Sequence, residues 1–268
     1  MASVEVNDIT IDYRSVGNGL PVVLLHGLAC GKRMWFHQVR ALSPHYRVIV
    51  YDQRGHGLTD APDDRVRYSP GHLVRDLADF LDALRLDRVA LVGFSMGGGP
   101  ALAMAARMPQ RISHLVLADV GAGADDVWKI QWLANRWIDF AEREGADAMI
   151  ADMLRSEQFK FYAGRGTRFR RHMAGLIRAT PPAGLRHTLS EVLGKRKSLF
   201  RMTETLKSVK VPTLVLLGQQ DYLCRNSSRL MVETIPGAAL CRIAGAGHMT
   251  PLEQPRQFST HLLDFLRA

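Results

Sequence analysis

The sequence predicts an α/β protein: a mostly parallel eight-stranded sheet flanked by helices, with a helical cap (lid) inserted after strand six. Short apolar runs, typical of strands covered on both faces, alternate with stretches of helical period. Crossovers of that length connect parallel neighbours and place helices on both faces of the sheet. Between Gly121 and Val211 only helical patterns remain, which indicates the insertion. The predicted units are a core domain at 1–121 and 211–268 and a cap at 122–210.

The N-terminal part contains six of the predicted strands. Apolar and polar residues alternate on both sides of a turn at Asn7-Asp8, which predicts two short antiparallel strands. Ser69-Pro70 predicts the start of a helix. Serine caps the first turn, and the amide hydrogen that proline lacks would have no hydrogen-bond partner in that turn. The other strands are predicted at 21–25, 46–51, 88–92 and 112–119, with helices at 32–43 and 98–106 among them.

The cap and the C-terminal part complete the pattern. Pro181-Pro182 interrupts the helical stretches of the cap. The aromatic residues of the cap are candidates to line a pocket, although aromatic residues at helical spacing also simply pack. After the cap, strands are predicted at 211–218 and 239–243 and helices at 227–235 and 252–266.

A glycine-flanked serine, Gly93-Phe94-Ser95-Met96-Gly97, lies between the fifth strand and the next helix. A serine on so sharp a turn takes a sparsely populated backbone angle, and the two glycines let the strand and the helix pass closely. Such a turn exposes the Ser95 hydroxyl and directs the Met96 amide, at a helix N-terminus, toward a negative oxygen beside it. Taken alone, the pattern also fits a glycine-rich turn without chemistry.

Four other motifs follow predicted strands. His26-Gly27 follows the third strand, the segment 52–57 follows the fourth, Asp221 follows the seventh and Gly247-His248 follows the eighth. Parallel sheets gather their sites along the edge where the strands end. Together with the serine turn and in this order, the motifs resemble the α/β-hydrolase fold family over nearly the whole chain.

The resemblance implies a catalytic triad of Ser95, Asp221 and His248, in the family's order along the chain. His248 would take the serine proton during attack and then protonate the leaving group. Asp221 would hold the imidazole tautomer and stabilise the imidazolium. Asp119, which ends the sixth strand, is the alternative acid.

The resemblance also implies an oxyanion hole made of the backbone amides of Leu28 and Met96. His26 and His56 are expected to support loops rather than to react. No cofactor and no metal ligand are implied. The cysteines Cys30, Cys224 and Cys241 have no metal-site spacing and are interpreted as buried free thiols.

The serine nucleophile narrows the reaction, because relatives that are dehalogenases or epoxide hydrolases carry an aspartate at this turn. The layout resembles 3-oxoadipate enol-lactonases and related small serine carboxylesterases, which implies hydrolysis of a small ester or lactone. A carbon–carbon bond hydrolase of ring-fission diketones is the first alternative. A ligand receptor that keeps the hydrolase fold is the second.

Composition restricts the partners. A chain that is 47% hydrophobic and 23% charged is typical of a globular enzyme. No run approaches the roughly 20 apolar residues of a membrane span, and the acidic first fifteen residues do not resemble a secretory signal, so a cytoplasmic protein is expected. The sequence gives no prediction of oligomeric state.

The net charge of +9 is concentrated in the cap, where residues 122–210 hold seventeen Lys or Arg against ten Asp or Glu. The densest clusters, at 165–172 and 195–197, are interpreted as solvated helix faces. They lack interleaved aromatic residues and no nucleic-acid-binding motif is present, so no nucleic-acid partner is predicted. Steering of an anionic substrate is the hypothesis that fits this charge.

Overall fold

The computed structural model describes residues 2–122 and 127–267, and the predicted fold class is confirmed. One eight-stranded sheet has the order β1-β2-β4-β3-β5-β6-β7-β8. The pairs β1·β2 and β2·β4 are antiparallel and every other pair is parallel. The strands are β1 Ala2–Val6, β2 Ile9–Val16, β3 Pro21–Leu25, β4 Arg47–Tyr51, β5 Val89–Phe94, β6 Ile112–Ala118, β7 Thr213–Gly218 and β8 Ala239–Ile243.

The sheet is buried on both faces because alternate residues of each central strand enter different apolar clusters. In β3, Val22 and Leu24 pack in one cluster and Val23 and Leu25 in the other. The first cluster contains helices α1 Phe36–Leu42 and α12 Pro255–Arg267. The second contains α2 Pro70–Ala83, α3 Gly98–Arg107 and α10 Arg225–Thr234.

Two predicted helices are divided. The stretch 32–43 begins as a 3₁₀ turn, Lys32–Trp35, before α1. The C-terminal stretch separates into α11 Thr250–Glu253 and α12, with Gln254 between them. Proline at 255 disfavours helical backbone at Gln254, which has φ −131° and ψ 61°.

The cap lies between β6 and β7. Its helices are α4 Val127–Arg143, α5 Ala146–Met153, α6 Lys160–Ala163, α7 Thr167–Arg178, α8 Pro182–His187, the π-helical turn Thr188–Leu193, the 3₁₀ turn Leu199–Arg201 and α9 Thr203–Ser208. Residues 123–126 of the predicted cap lie outside the described residues. The division at 121 and 210 stays a prediction, and α9 packs against α3 and α10 of the sheet layer.

The cap covers the edge of the sheet where the parallel strands end. Trp137 of α4 and Met173 of α7 are fully buried and share one apolar cluster with Phe94 and Met96. Trp137 also lines one pocket with Ser95 and Met96, so the cap lies over the serine turn. Among the described helices, none combines the length and the apolar character that crossing a bilayer requires.

Candidate active site

Ser95 occupies a strained turn at the end of β5. Its φ is +49°, in the left-handed region that side-chain-bearing residues rarely adopt. A Cβ on Gly93 would lie 2.6 Å from the Gly98 Cα, and a Cβ on Gly97 would lie 2.5 Å from the Leu25 carbonyl oxygen. Both glycines are thus required by close backbone approach, which holds the serine at the junction of β5, β3 and α3.

Replacing Gly97 with Ala is expected to lower the free energy of unfolding by about 1 to 3 kcal/mol, because the added methyl group overlaps the backbone of β3. The matched control is Gly99→Ala in the same glycine run, where an added Cβ meets nothing within 4 Å. That control should be stabilised by up to about 1 kcal/mol. Urea unfolding of both variants checks the pair, and equal effects would contradict the close-approach explanation.

The three residues of the predicted triad lie in one hydrogen-bonded chain. The Ser95 hydroxyl donates to His248 Nε2 over 3.0 Å, and His248 Nδ1 donates to Asp221 Oδ2 over 2.8 Å. His248 and Asp221 are buried, whereas Ser95 is partly exposed. Because the Asp221 carboxylate only accepts hydrogen bonds, the imidazole hydrogen lies on Nδ1. Nε2 is then free to receive the serine proton.

Asp221 is held as a carboxylate. Its Oδ1 accepts hydrogen bonds from the amides of Leu223 at 3.1 Å and Cys224 at 3.3 Å. Burial alone would raise the pKa of Asp221, but the facing His248 and the bonds from Cys224 lower it overall. A charged acid behind a neutral imidazole is the arrangement that stabilises an imidazolium when the serine loses its proton.

Asp119, the alternative acid, is near Asp221 but has other hydrogen-bond partners. Its Oδ1 accepts from the Gly218 amide at 2.9 Å and its Oδ2 from the Thr250 hydroxyl. Burial and the neighbouring Asp221 carboxylate raise the pKa of Asp119. In the described residues it is Asp221 that contacts His248.

The loop that carries His248 is fixed from two sides. A Cβ on Gly218, at the end of β7, would lie 1.9 Å from the Gly247 carbonyl oxygen, so glycine is required there. On the other side the Glu253 carboxylate accepts the Gly247 amide at 2.5 Å. These contacts set the position of the imidazole relative to Ser95.

Burial raises the pKa of Glu253 to about 7 from an ordinary value of 4.5. The folded protein therefore holds this proton more tightly than the unfolded chain, and its stabilising contribution is complete below pH 4.5 and lost as the pH rises through about 7. We expect the free energy of unfolding to fall by up to about 3 kcal/mol over that window from this group.

Glu253→Gln should remove this decline, because the amide keeps an acceptor for Gly247 and cannot ionise. Urea unfolding at several pH values between 4 and 8 measures it, with the exposed Glu204→Gln as the matched control. An unchanged pH slope in Glu253→Gln would show that the group does not titrate there.

A pocket that is open to solvent lies beside Ser95 and His248. Leu28 and Met96, the predicted oxyanion-hole residues, both line it. Much of its wall is apolar, including Phe94, Ile130, Trp137, Phe159, Leu193 and Met249. The expected aromatic lining is thus present in part, whereas Trp128 and Trp132 of the cap are exposed.

The cysteines behave mainly as predicted. All three are free, with Cys30 and Cys224 buried and Cys241 partly exposed. Cys30 lines the pocket, and burial raises its thiol pKa to about 12, so the thiol stays protonated. Cys224 Sγ lies 3.7 Å from His248 Nδ1.

Among the described residues, Asp221, Cys224 and His248 bring three potential metal ligands within 4.8 Å of one another. All three are buried. His248 Nδ1 donates to Asp221, and burial raises the pKa of the Cys224 thiol. A metal ion could bind these atoms only after the imidazole nitrogen and the thiol lost their protons.

His26 and His56 are bonded to the backbone of the loops, as the sequence suggested, and His56 Nδ1 lies 3.1 Å from the Arg54 carbonyl oxygen. The Gln53 amide donates to His26 Nε2 at 2.9 Å, so His26 Nδ1 carries its hydrogen and donates to the Gly27 carbonyl at 2.8 Å. Burial lowers the pKa of His26. A neutral His26 thus joins the loops after β3 and β4, next to Leu28.

The basic clusters of the cap divide in a way that the sequence did not predict. Arg165, Arg168, Arg170 and Arg171 are exposed, as expected of a solvated face. In the second cluster Lys195 and Lys197 are also exposed. Arg196 between them lines the pocket instead. The interpretation of that cluster as wholly solvated was wrong for Arg196, and no local pattern distinguishes it from its neighbours.

Comparison with known proteins agrees with the fold. Residues 21–255 match the model of the α/β-hydrolase fold family. The chain is 30% identical to the 2-hydroxy-6-oxo-2,4-heptadienoate hydrolase of Pseudomonas putida, over 97% of this chain and 94% of that protein.

Two solved structures superimpose on nearly the whole chain. The enol-lactonase from Burkholderia xenovorans has a TM-score of 0.85 at 26% identity and covers 100% of both chains. A malate-bound esterase from Thermogutta terrifontis has a TM-score of 0.84 at 28% identity, over 100% of this chain and 98% of that one. With its sheet order, its serine turn and these matches, the chain belongs to the α/β-hydrolase fold family.

Proposed function

We propose that this protein is a serine hydrolase that cleaves a small carboxylic ester or lactone through an acyl-enzyme. The observation that carries the proposal is the chain of hydrogen bonds from Ser95 through His248 to Asp221, with the serine facing a largely apolar pocket. A hydroxyl becomes an effective nucleophile when a neighbouring base takes its proton, and this arrangement supplies that base.

In the proposed reaction, Ser95 Oγ bonds to the carbonyl carbon of the substrate while its proton moves to His248 Nε2. The amides of Leu28 and Met96 hold the resulting oxyanion. The carbon–oxygen bond to the leaving group then breaks, and His248 gives the proton to the departing oxygen. Water attacks the acyl-enzyme, loses its proton to His248, and the carboxylic acid is released as Ser95 recovers its hydrogen.

The related enol-lactonase and esterase structures support cleavage of an ester-type bond. The similarity to a hydrolase of 2-hydroxy-6-oxo-2,4-heptadienoate supports a second candidate, hydrolysis of a carbon–carbon bond in a ring-fission diketone. Both reactions need a base, an oxyanion hole and a pocket, so the triad alone does not separate them.

Steady-state hydrolysis of p-nitrophenyl esters of increasing acyl length, with mass spectrometry of the quenched enzyme, tests the proposal. We expect turnover and an acyl adduct on Ser95. Decay of the coloured enolate of a ring-fission diketone, without ester turnover, would favour the carbon–carbon hydrolase. No turnover of either kind would leave the receptor interpretation, which predicts ligand-dependent binding of a partner.

A further inference from the structure

Three polar atoms close to the proposed catalytic centre have no hydrogen-bond partner. Arg196 Nη2, Gln158 Oε1 and Trp137 Nε1 are each buried away from solvent, and all three residues line the pocket that contains Ser95 and His248. Buried polar groups are normally hydrogen-bonded, because leaving one unpaired costs about 1 to 3 kcal/mol. Unpaired groups gathered on one pocket therefore point to a ligand that pairs with them.

Arg196 is the exceptional member of this set because it carries a charge. The buried Arg54 forms ion pairs with Asp76 at 2.7 Å and Asp8 at 2.6 Å, and Arg136 forms one with Asp152 at 2.7 Å. Within residues 2–122 and 127–267, no acid forms an ion pair with Arg196.

Arg196 remains a cation in this setting. Burial lowers its pKa, but an arginine side chain keeps its proton at neutral pH. The Arg196 side chain is half-buried and its Nη2 atom is shielded from solvent. A partly desolvated cation without a counter-charge is costly, and an anion entering the pocket would reduce that cost. The planar guanidinium matches the two oxygens of a carboxylate better than a lysine does.

The other two unpaired groups suit the same ligand. The Trp137 indole is a donor only, so it can bond only to an acceptor such as a carboxylate oxygen. The Gln158 side chain can turn its amide NH₂ toward the pocket, since the oxygen and the nitrogen of a glutamine occupy nearly equivalent positions. Nearby apolar residues would hold the carbon chain that joins this carboxylate to the reacting carbonyl.

We propose that Arg196 is the carboxylate-binding residue of the substrate pocket, and that the substrate is an ester or lactone carrying a second, ionised carboxyl group. The nature of the cleaved bond rests on the proposed function, whereas carboxylate binding by Arg196 does not. Direct contact also differs from the steering expected of the exposed cap arginines, because added salt screens exposed charges strongly and a buried pair much less.

The kinetic test compares mono-p-nitrophenyl adipate with p-nitrophenyl hexanoate, which have the same chain length and differ in the terminal carboxylate. We expect the native enzyme to prefer the adipate ester in kcat/KM, with the preference largely retained in 0.5 M NaCl. In Arg196→Gln the adipate-to-hexanoate ratio should fall about 10- to 100-fold, the range for a lost hydrogen bond to a charged group. Arg196→Met provides a second variant that keeps the bulk of the side chain.

Lys197→Gln is the matched control. Lys197 is the next residue along the chain and is exposed, so the substitution removes one positive charge without changing the pocket. It should keep the native ratio. An equal fall in Lys197→Gln and Arg196→Gln, abolished by salt, would assign the preference to the general field of the cap and overturn the proposal. If the adipate ester is not preferred, a second pair with the carboxylate on the leaving group, 4-carboxyphenyl against phenyl hexanoate, locates the contact on that side.

A binding measurement separates this inference from the reaction. In a Ser95→Ala background, isothermal titration with adipate should give saturable binding that is lost in Ser95→Ala/Arg196→Gln and retained in Ser95→Ala/Lys197→Gln. Binding without any ester turnover would uphold the carboxylate site and reject the proposed function. Turnover of neutral esters, with no adipate binding and no carboxylate preference in either ester pair, would uphold the proposed function and reject the carboxylate site.

Discussion

Ser95→Ala is expected to lower kcat for p-nitrophenyl ester hydrolysis by about 10⁶-fold, the loss found when a triad serine is removed. The reason is geometric: the hydroxyl donates to His248 Nε2 over 3.0 Å and faces the pocket, and no covalent acyl-enzyme can form without it. Catalysis that remains would come from the oxyanion hole and substrate binding alone. The initial rate of p-nitrophenol release measures the effect, and mass spectrometry checks that the acyl adduct is lost.

Ser228→Ala is the matched control. Ser228 is fully buried in α10 and its hydroxyl has no partner in the described part of the chain, so its removal should preserve activity and cost little stability. If Ser95→Ala kept even a hundredth of the native rate while remaining folded, Ser95 would not be the nucleophile.

Asp221→Asn should lower kcat by about 10⁴-fold while the fold persists. An asparagine at this position can present its NH₂ to His248 Nδ1, which favours the tautomer with hydrogen on Nε2. That nitrogen could then no longer accept the serine proton. The same ester assay measures the loss, and KM should change much less than kcat because Asp221 lies behind His248 rather than in the pocket lining.

Asp119→Asn separates the two candidate acids. Asp119 accepts hydrogen bonds from Gly218 and Thr250, and the asparagine can keep the first through its oxygen. We therefore expect Asp119→Asn to lower kcat by less than about 10-fold. This is far less than the loss of about 10⁴-fold expected for Asp221→Asn. The opposite order of the two variants would assign the acid to Asp119.

Much of the fold was predictable because its signals are local. A few adjacent residues determine each of several elements. The strands β3 and β7 follow from their apolar runs, and the start of α2 follows from Ser69-Pro70. The glycines at 93 and 97 mark the serine turn for the same reason: so sharp a strand–turn–helix junction brings backbones together at these two positions. The divided C-terminal helix was missed although its proline at 255 is a local signal.

Which of the two candidate acids contacts His248 depends on the tertiary structure. Asp119 and Asp221 both follow strands of the parallel sheet, so spacing places both at the same edge. The position of the His248 loop, set by the contact of Gly218 with Gly247 and by Glu253, brings the imidazole to Asp221. Those contacts join residues that are distant in sequence, and no pattern in the chain encodes their orientation.

The sequence by itself determined the class of fold, the serine turn and the set of candidate residues, because each follows from adjacent residues or from their order along a parallel sheet. The tertiary structure alone decided which way side chains of the cap point. Lys195, Arg196 and Lys197 are equivalent in the sequence, yet packing of the segment between the π-helical turn and α9 exposes two of them and places Arg196 in the pocket. Which side of a segment is buried depends on what lies against it, and for this part of the cap that is the sheet edge that carries Ser95 and His248.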